Sequence, residues 1–280
     1  MTAPPKLTDR TALALHRARA AANPALFLHE LAADDVKERL KEVNRPFTNA
    51  AVISPFPAFW GAAFPDARSL EEAEILPLDE AAHDLVIHAL ALHWSDDPVG
   101  QLVQSRRALA PDGLFIGVLF GGRSLHELRA ALAATETDLM GGLSPRVVPM
   151  ADLRELGALL LRAGFALPVA DSITRTVSYQ TAFHLMRDLR AMGETNALAA
   201  RHRACPPRAF FAEAARRYAD AHAGPDGRIP ASVELIYLTG WAPAQTQPKP
   251  LRPGAAQTRL ADALGTTEHG LSDRPRREPD

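Results

Sequence analysis

"HDLVIHALALHWSDDP", residues His83 to Pro98, decides how the rest of the chain reads. Asp84 opens a run, DLVIHALAL, that is almost continuously apolar. A strand of that kind has both faces covered, as in the middle of a parallel sheet. The run stops at His93-Trp94, and Ser95, Asp96 and Asp97 turn the chain. DPVGQLVQSRRALAP follows as an amphipathic helix with Val99, Leu102, Val103 and Leu109 on its inner side. Pro111-Asp112-Gly113 predicts a tight turn. LFIGVLF is then a second apolar strand, ended by Gly121-Gly122.

The pattern extends in both directions. Upstream, AAVIS (Ala50 to Ser54) is a short strand, PAFWGAAF a short helix or turn closed by Pro65-Asp66, and EILPL a strand-like piece. Further upstream, Leu26, Phe27, Leu31, Val36, Leu40 and Val43 recur at helical spacing, with Asp34 and Asp35 placed to begin a second helix. Downstream, LHELRAALAATETDLM and MADLRELGALLLRAGFAL are helices, the latter with Gly164 as a C-terminal cap. ITRTVSY is strand-like, QTAFHLMRDLRAMG and PRAFFAEAARRYADAH are helical, and ASVELIYLTGWAP alternates as a closing antiparallel strand. Strand and helix in alternation predict a mostly parallel α/β sheet with helices on both faces. Three regions result: a helical segment over 1–45, the α/β domain over 46–243, and a disordered tail over 244–280 with a short helix at TRLADALG.

Composition narrows the function classes. The chain has 280 residues with a net charge of -2, so no basic field points to nucleic acid. No apolar run reaches the roughly 20 residues that span a bilayer. The helix from Thr11 to Ala22 carries His16, Arg17 and Arg19 without an acid, as a mitochondrial presequence does, but alanine and arginine are plentiful throughout. The expected location is a bacterial cytoplasm, with the mitochondrial matrix as the second choice. Cys205 is the only cysteine, which excludes an intramolecular disulfide and a multi-cysteine zinc site. The 10 histidines are scattered, and no pair has the helical spacing of a zinc site. No metal is expected, and no Gly-x-Ser-x-Gly elbow is present.

In an open parallel sheet, ligands sit beyond the C-terminal ends of the strands. His93 and Trp94 are therefore candidates for a site, as a titratable ring beside a flat apolar surface. They can equally close a strand end, with Trp94 packing the next helix and His93 bonded to a loop carbonyl. Gly121-Gly122 permits either close approach to a ligand or a tight turn. Glu71, Glu72 and Glu74 stand either in a solvated loop or as acceptors for a nucleoside.

The order of these motifs resembles that of the class I S-adenosylmethionine-dependent methyltransferases. The stretches "LHW", "PDGLFIG", "FGG", "GGLSPR" and "LRAMGE" together look most like the complex I assembly factor 5 subfamily. That group is close to the malonyl-carrier-protein methyltransferase of biotin synthesis. The similarity covers residues 15 to 243. It implies a Rossmann-like sheet of seven strands with an antiparallel C-terminal strand, S-adenosylmethionine in the crevice, and a role in assembling or maturing respiratory complex I. The partner so implied is a complex I subunit or assembly intermediate, with no nucleic acid and no membrane insertion. The chemistry implied is hydroxylation of a partner's arginine in one branch and O-methylation of a carrier-bound carboxylate in the other. By match to the motif, Ser54, Glu72, Ala89, Leu90, His93 and Trp94 fall on the cofactor site, and His93 and Trp94 are also the catalytic candidates. Arg146, Arg187, Arg190 and Glu194 fall on a substrate wall, a protein interface or a solvated helix face.

The residues depart from that family where the cofactor loop belongs. Such enzymes have a glycine-rich turn after the first strand, because only glycine lets the backbone approach the cofactor. Here PFPAFWGAAFPDA stands in its place. Proline removes N–H donors and rings fill space. The segment from Ala51 to Leu85 is also short by about one strand-helix unit, taking ~30 residues as the size of such a unit. Two readings follow: an enzyme using S-adenosylmethionine through a modified loop, or a cofactor-free binding module. In the first, Phe56, Phe59, Trp60 and Phe64 line a cavity; in the second they fill it.

Overall fold

The computed structural model describes residues 6–204, 206–247 and 265. Two helices come first, α1 (Arg10–Ala20) and α2 (Phe27–Val43). The α/β core follows with β1 (Ala50–Ser54), α3 (Pro57–Ala63), β2 (Arg68–Glu71), β3 (His83–Ala89), α4 (Pro98–Ala108) and β4 (Leu109–Phe120). The C-terminal part adds α5 (His126–Met140), α6 (Leu153–Arg162), β5 (Ala166–Tyr179), α7 (Ala182–Ala191), α8 (Arg208–His222) and β6 (Ile229–Trp241).

The strands form one sheet in the order β2-β1-β3-β4-β6-β5. The first four are parallel, and β6 runs antiparallel between β4 and β5. This is the Rossmann-like arrangement of a class I methyltransferase, with six strands among the described residues instead of the implied seven. The missing unit lies between β1 and β3, where the sequence is short.

Burial alternates along the central strands as the pleat requires. Leu114, Ile116 and Val118 of β4 pack with α2 and α3 on one face, while Phe115 and Leu119 pack with α4 and α6 on the other. A separate core joins α5, α7 and α8 to the outer ends of β5 and β6 through Phe210, Tyr218, Tyr179 and Ile229. Across the sheet, α2 is tied down by polar contacts. Tyr237 donates to Asp35 at 2.6 Å, and Arg39 lies over the Tyr237 ring while forming two bonds to Asp171.

Three local expectations need correction. EILPL is not a strand; β2 is the preceding RSLE. Gln104 accepts from Leu76 N–H at 2.8 Å and donates to the Glu74 carbonyl, which holds this segment as a loop around Pro77. Asp34 and Asp35 begin no second helix, since α2 runs unbroken to Val43 and stops at Asn44 in the left-handed conformation. Pro111-Asp112-Gly113 is not a separate turn but an irregularity inside β4, where Asp112 has φ 63° and the pairing with β3 shifts. The short helix expected at TRLADALG and most of the expected tail lie outside the described residues. Among the described residues, no helix is long and apolar enough to cross a membrane.

Close backbone approach fixes β6 against the end of α6. A Cβ added at Gly240 would meet Phe165 Cβ at 2.9 Å and Cγ at 3.0 Å. Phe165 is itself buried against Phe115, with ring centroids 5.0 Å apart. Gly240→Ala therefore overpacks this contact and is expected to lower stability by about 1–3 kcal/mol. The urea midpoint of the purified variant measures it, and a midpoint equal to that of the wild type would show that the sheet yields there.

Candidate functional site

The N-terminal segment is strapped across the ends of β2 and β3. Leu7 and Thr8 both donate backbone N–H bonds to Asp96 at 2.9 Å, and the Thr8 hydroxyl donates to the Trp94 carbonyl at 2.8 Å. Asp9 then caps α1 by accepting from Ala12 N–H. The face of α1 turned inward carries Leu13, Arg17 and Ala20, at helical spacing. Arg17 is an ion-pair partner of Glu72, and Arg10 lies 3.6 Å from the same carboxylate. Burial pushes the Arg17 guanidinium down to about 10, while Glu194 acts in the opposite direction. Gly193 makes this approach possible. Its φ is +75°, and an added Cβ would meet Arg17 Cγ at 3.0 Å.

These contacts involve Glu72, which the resemblance places on the cofactor site. After β1, the Ser54 hydroxyl accepts from Phe56 N–H at 3.1 Å, closing the turn on itself. Pro55 and Pro57 offer no N–H. Trp60 is 0% exposed and donates from Nε1 to His29 Nδ1 at 3.0 Å. Phe64 stacks on it at 5.7 Å, and Phe56 meets the His29 ring edge-on at 4.9 Å. The loop carrying Glu72 and Glu74 is fixed by Gln101, which donates to the Ala73 and Glu74 carbonyls. Between Arg10, Glu72, His88 and Ser95 a cavity of only about 10 Å³ remains. That is room for about one water, whereas ligand pockets run to roughly 300 Å³ or more. The residues present therefore do not fit S-adenosylmethionine in this conformation.

Beside the closed crevice a second space stays open. A cavity of about 250 Å³ lies beyond the end of β4, between α5, α7 and the segment from Arg146 to Met150. Its wall is mostly apolar, with Leu132, Val148, Met186 and Met192 among the lining residues. Trp94 and Glu194 form its polar part next to the crevice. The Glu194 carboxylate accepts from Trp94 Nε1 at 2.7 Å and lies 3.0 Å from His93 Nε2. Burial alone would raise its pKa. His93, Arg17 and the Trp94 bond prevail and hold it below the ordinary carboxylate range.

The sequence candidates thus divide. Ser54, Ala89 and Leu90 are buried at the strand ends, and Glu72 is claimed by α1. His93 and Trp94 meet on Glu194 at the border between crevice and pocket. Arg146 is spent on Glu136, which it meets with two bonds, and on the Phe210 ring 4.4 Å away. Gly121-Gly122 serves a turn. Glu234 accepts from Arg123 N–H at 2.9 Å and would collide with a Cβ on Gly121. Arg17 and His29 escaped notice. The signal for Arg17 was its spacing from Leu13 and Ala20, which puts a cation on the apolar face of α1. Among the described residues no cluster of three His, Cys, Asp or Glu could hold a metal ion.

Two buried histidines make stability depend on pH. Burial pushes His29 and His88 down to about 4 each. His29 must accept from Trp60 at Nδ1. His88 donates from Nε2 to Gln101 Oε1, because the Gln101 amide nitrogen is already engaged. Both rings are neutral when folded. The unfolded chain takes up their protons near the ordinary histidine value of 6.5. Stability is thus expected to fall as the pH drops from 6.5 toward 4. Glu194, whose lowered pKa stabilises the fold above the ordinary 4.5, adds its loss only below that value. Urea midpoints across pH 7 to 4.5 check this, and His88→Leu should flatten the slope. Arg17→Met, which strips Glu72 of its buried cation, is expected to lower stability by about 3–5 kcal/mol in the same assay.

Comparison with known proteins agrees with the fold. The methyltransferase-domain family matches residues 55–117, beginning just after β1. Arginine-hydroxylase NDUFAF5, mitochondrial, of Danio rerio is 37% identical over 193 residues, covering 69% of this chain and 60% of that protein. The Homo sapiens protein of that name is 39% identical over 192 residues, 69% of this chain and 55% of its own length. The malonyl-[acyl-carrier protein] O-methyltransferase of Halorhodospira halophila is 38% identical over 168 residues, 59% of this chain and 54% of the enzyme. The chain thus spans between half and two thirds of the length of these relatives. Among solved structures, the YcgJ protein of Bacillus subtilis aligns with a TM-score of 0.45 at 13% identity, over 71% of this chain and 94% of that one. The chain is a class I methyltransferase-fold protein related to the NDUFAF5 arginine hydroxylases and, alongside them, to the malonyl-carrier-protein O-methyltransferases.

Proposed function

We propose that this chain serves in the assembly or maturation of respiratory complex I as a cofactor-free binding module on a methyltransferase fold. The observation that carries the reading is the Arg17–Glu72 pair under α1, together with Trp60 and Phe56 packed behind it. These side chains take the space and the acid that a nucleoside would need. Opening the crevice means separating a buried ion pair, exposing an indole and breaking its bond to His29, each unfavourable. Methylation of a carrier-bound carboxylate and a modified S-adenosylmethionine-dependent reaction both need that crevice open, which favours the binding reading over them. The open pocket beside Trp94 and Glu194 is then the working surface, where the chain grips its partner. The partner class is taken from the likeness to NDUFAF5 and its family, and the proposed location is the bacterial cytoplasm.

Two measurements test this. Isothermal titration of the full chain with S-adenosylmethionine should give no heat at millimolar ligand; a micromolar dissociation constant would end the cofactor-free reading. Deleting the gene in the organism that carries it should lower NADH:ubiquinone oxidoreductase activity in isolated membranes, with recovery on re-expression. Unchanged activity would remove complex I from the proposal.

A further inference from the structure

We propose that the open pocket takes an acyl chain bearing an anionic head group. The inference rests on the reading of this pocket as the working surface and adds the chemistry of what enters it. The interior supplies the first argument. Three methionines, Met150, Met186 and Met192, line it with leucines from α5, and methionine adapts its shape to a flexible apolar guest. A chain of methylenes suits a wall of that kind, since burial of each is worth about the same wherever it lies.

The charges supply the second argument. Two charged side chains of the pocket wall have charged partners of their own. Arg146 is neutralised by Glu136, and Glu194 is held by His93 and Arg17. Asp188, the acid of α7, acts on the neutral Tyr179 hydroxyl and keeps its own charge. Arg190 differs. It lines the pocket from α7, is exposed, and has no ion pair among the described residues. Arg187, one turn earlier, is also exposed and also lacks an ion pair among the described residues. On α7 the two arginines outnumber Asp188, so the net charge beside the pocket is positive, while the wall behind it is mostly apolar. A cationic guest would meet Arg190 on entry; an anionic head would pair with it, with Arg187 on the same face of α7.

Exposed apolar side chains on and just beyond the helices that carry the pocket wall supply the third. Phe183 shares the Arg187 and Arg190 face of α7 by helical spacing and is 51% exposed. Leu139 continues the Leu132 face of α5 and is 55% exposed, and Leu143 just beyond the helix is 71% exposed. Such apolar exposure next to a pocket, rimmed by cations, marks a surface that meets an amphiphile rather than water alone. The same head-and-chain chemistry is found in an anionic membrane lipid and in a free fatty acid.

Calorimetric titration of the full chain with dodecanoate below its micelle concentration tests the inference. Binding in the micromolar range is expected, weakened at least tenfold by Arg190→Glu and roughly tenfold by shortening the chain to decanoate. Dodecyltrimethylammonium should bind at least tenfold more weakly than dodecanoate. No heat with dodecanoate at millimolar concentration would overturn the inference, and so would equal binding of the cationic amphiphile. Leu132→Trp should block the pocket; Arg190→Glu, at an exposed position, keeps the test valid if that variant fails to fold. Co-sedimentation with phosphatidylglycerol vesicles, lost in Arg190→Glu, would assign the acyl chain to a membrane lipid. A chain that binds dodecanoate but stays in the supernatant would assign it to a free fatty acid. The S-adenosylmethionine titration involves the other cavity, so either result can fail without the other.

Discussion

A buried guanidinium must have a carboxylate within reach, and Arg17 imposes that condition on everything around it. It sits on the inward face of α1, with Glu72 as its ion-pair partner and Glu194 acting on it electrostatically. Both acids are positioned by backbone constraints. Glu72 follows β2 on a loop fixed by Gln101 and Gln104 of α4. Glu194 follows Gly193, whose positive φ and missing side chain let α1 come close. The strap from Leu7 to Asp9 then holds the helix over the strand ends. Loss of any of these supports would leave charge buried without compensation.

That constraint separates two spaces which one site would otherwise share. On one side, the turn after β1 is closed by Ser54 and Phe56, and Trp60 fills the volume behind it. On the other, Trp94 and His93 meet Glu194 at the wall of an apolar pocket. The carboxylate between them is oriented by three neighbours, so it is a rigid part of the wall. The parallel strands of a methyltransferase-like sheet are present, and side chains pack the space beyond β1.

Much of the scaffold could be read from the chain because it rests on local periodicity. DLVIHALAL and LFIGVLF are apolar on both faces, and β3 and β4 are the two central strands they predict. The alternation in ASVELIYLTGW marked β6 as antiparallel. The shortened stretch between Ala51 and Leu85 foretold the loss of a strand. RSLE was missed because a short strand near the sheet edge has no apolar repeat, and the neighbouring ILPL looked more like one. The proline-rich turn after β1 already marked the place of the glycine-rich cofactor loop as altered. What filled it was only half legible. Phe56 and Trp60 lie at the turn itself, but His29 and Arg17 reach it from helices far away in sequence. Arg17 also resembled its many arginine neighbours in composition. Only its position against Leu13 and Ala20 separated it from them, and long-range pairing of that kind is set by the tertiary fold.

Soaking a crystal of the full chain with S-adenosylhomocysteine tests the central claim most directly. The account predicts that Arg17 stays on Glu72, that Trp60 stays bonded to His29, and that no nucleoside density appears beyond β1 and β3. Density for the nucleoside between Glu72 and Ala89, with the Arg17 guanidinium displaced, would contradict it.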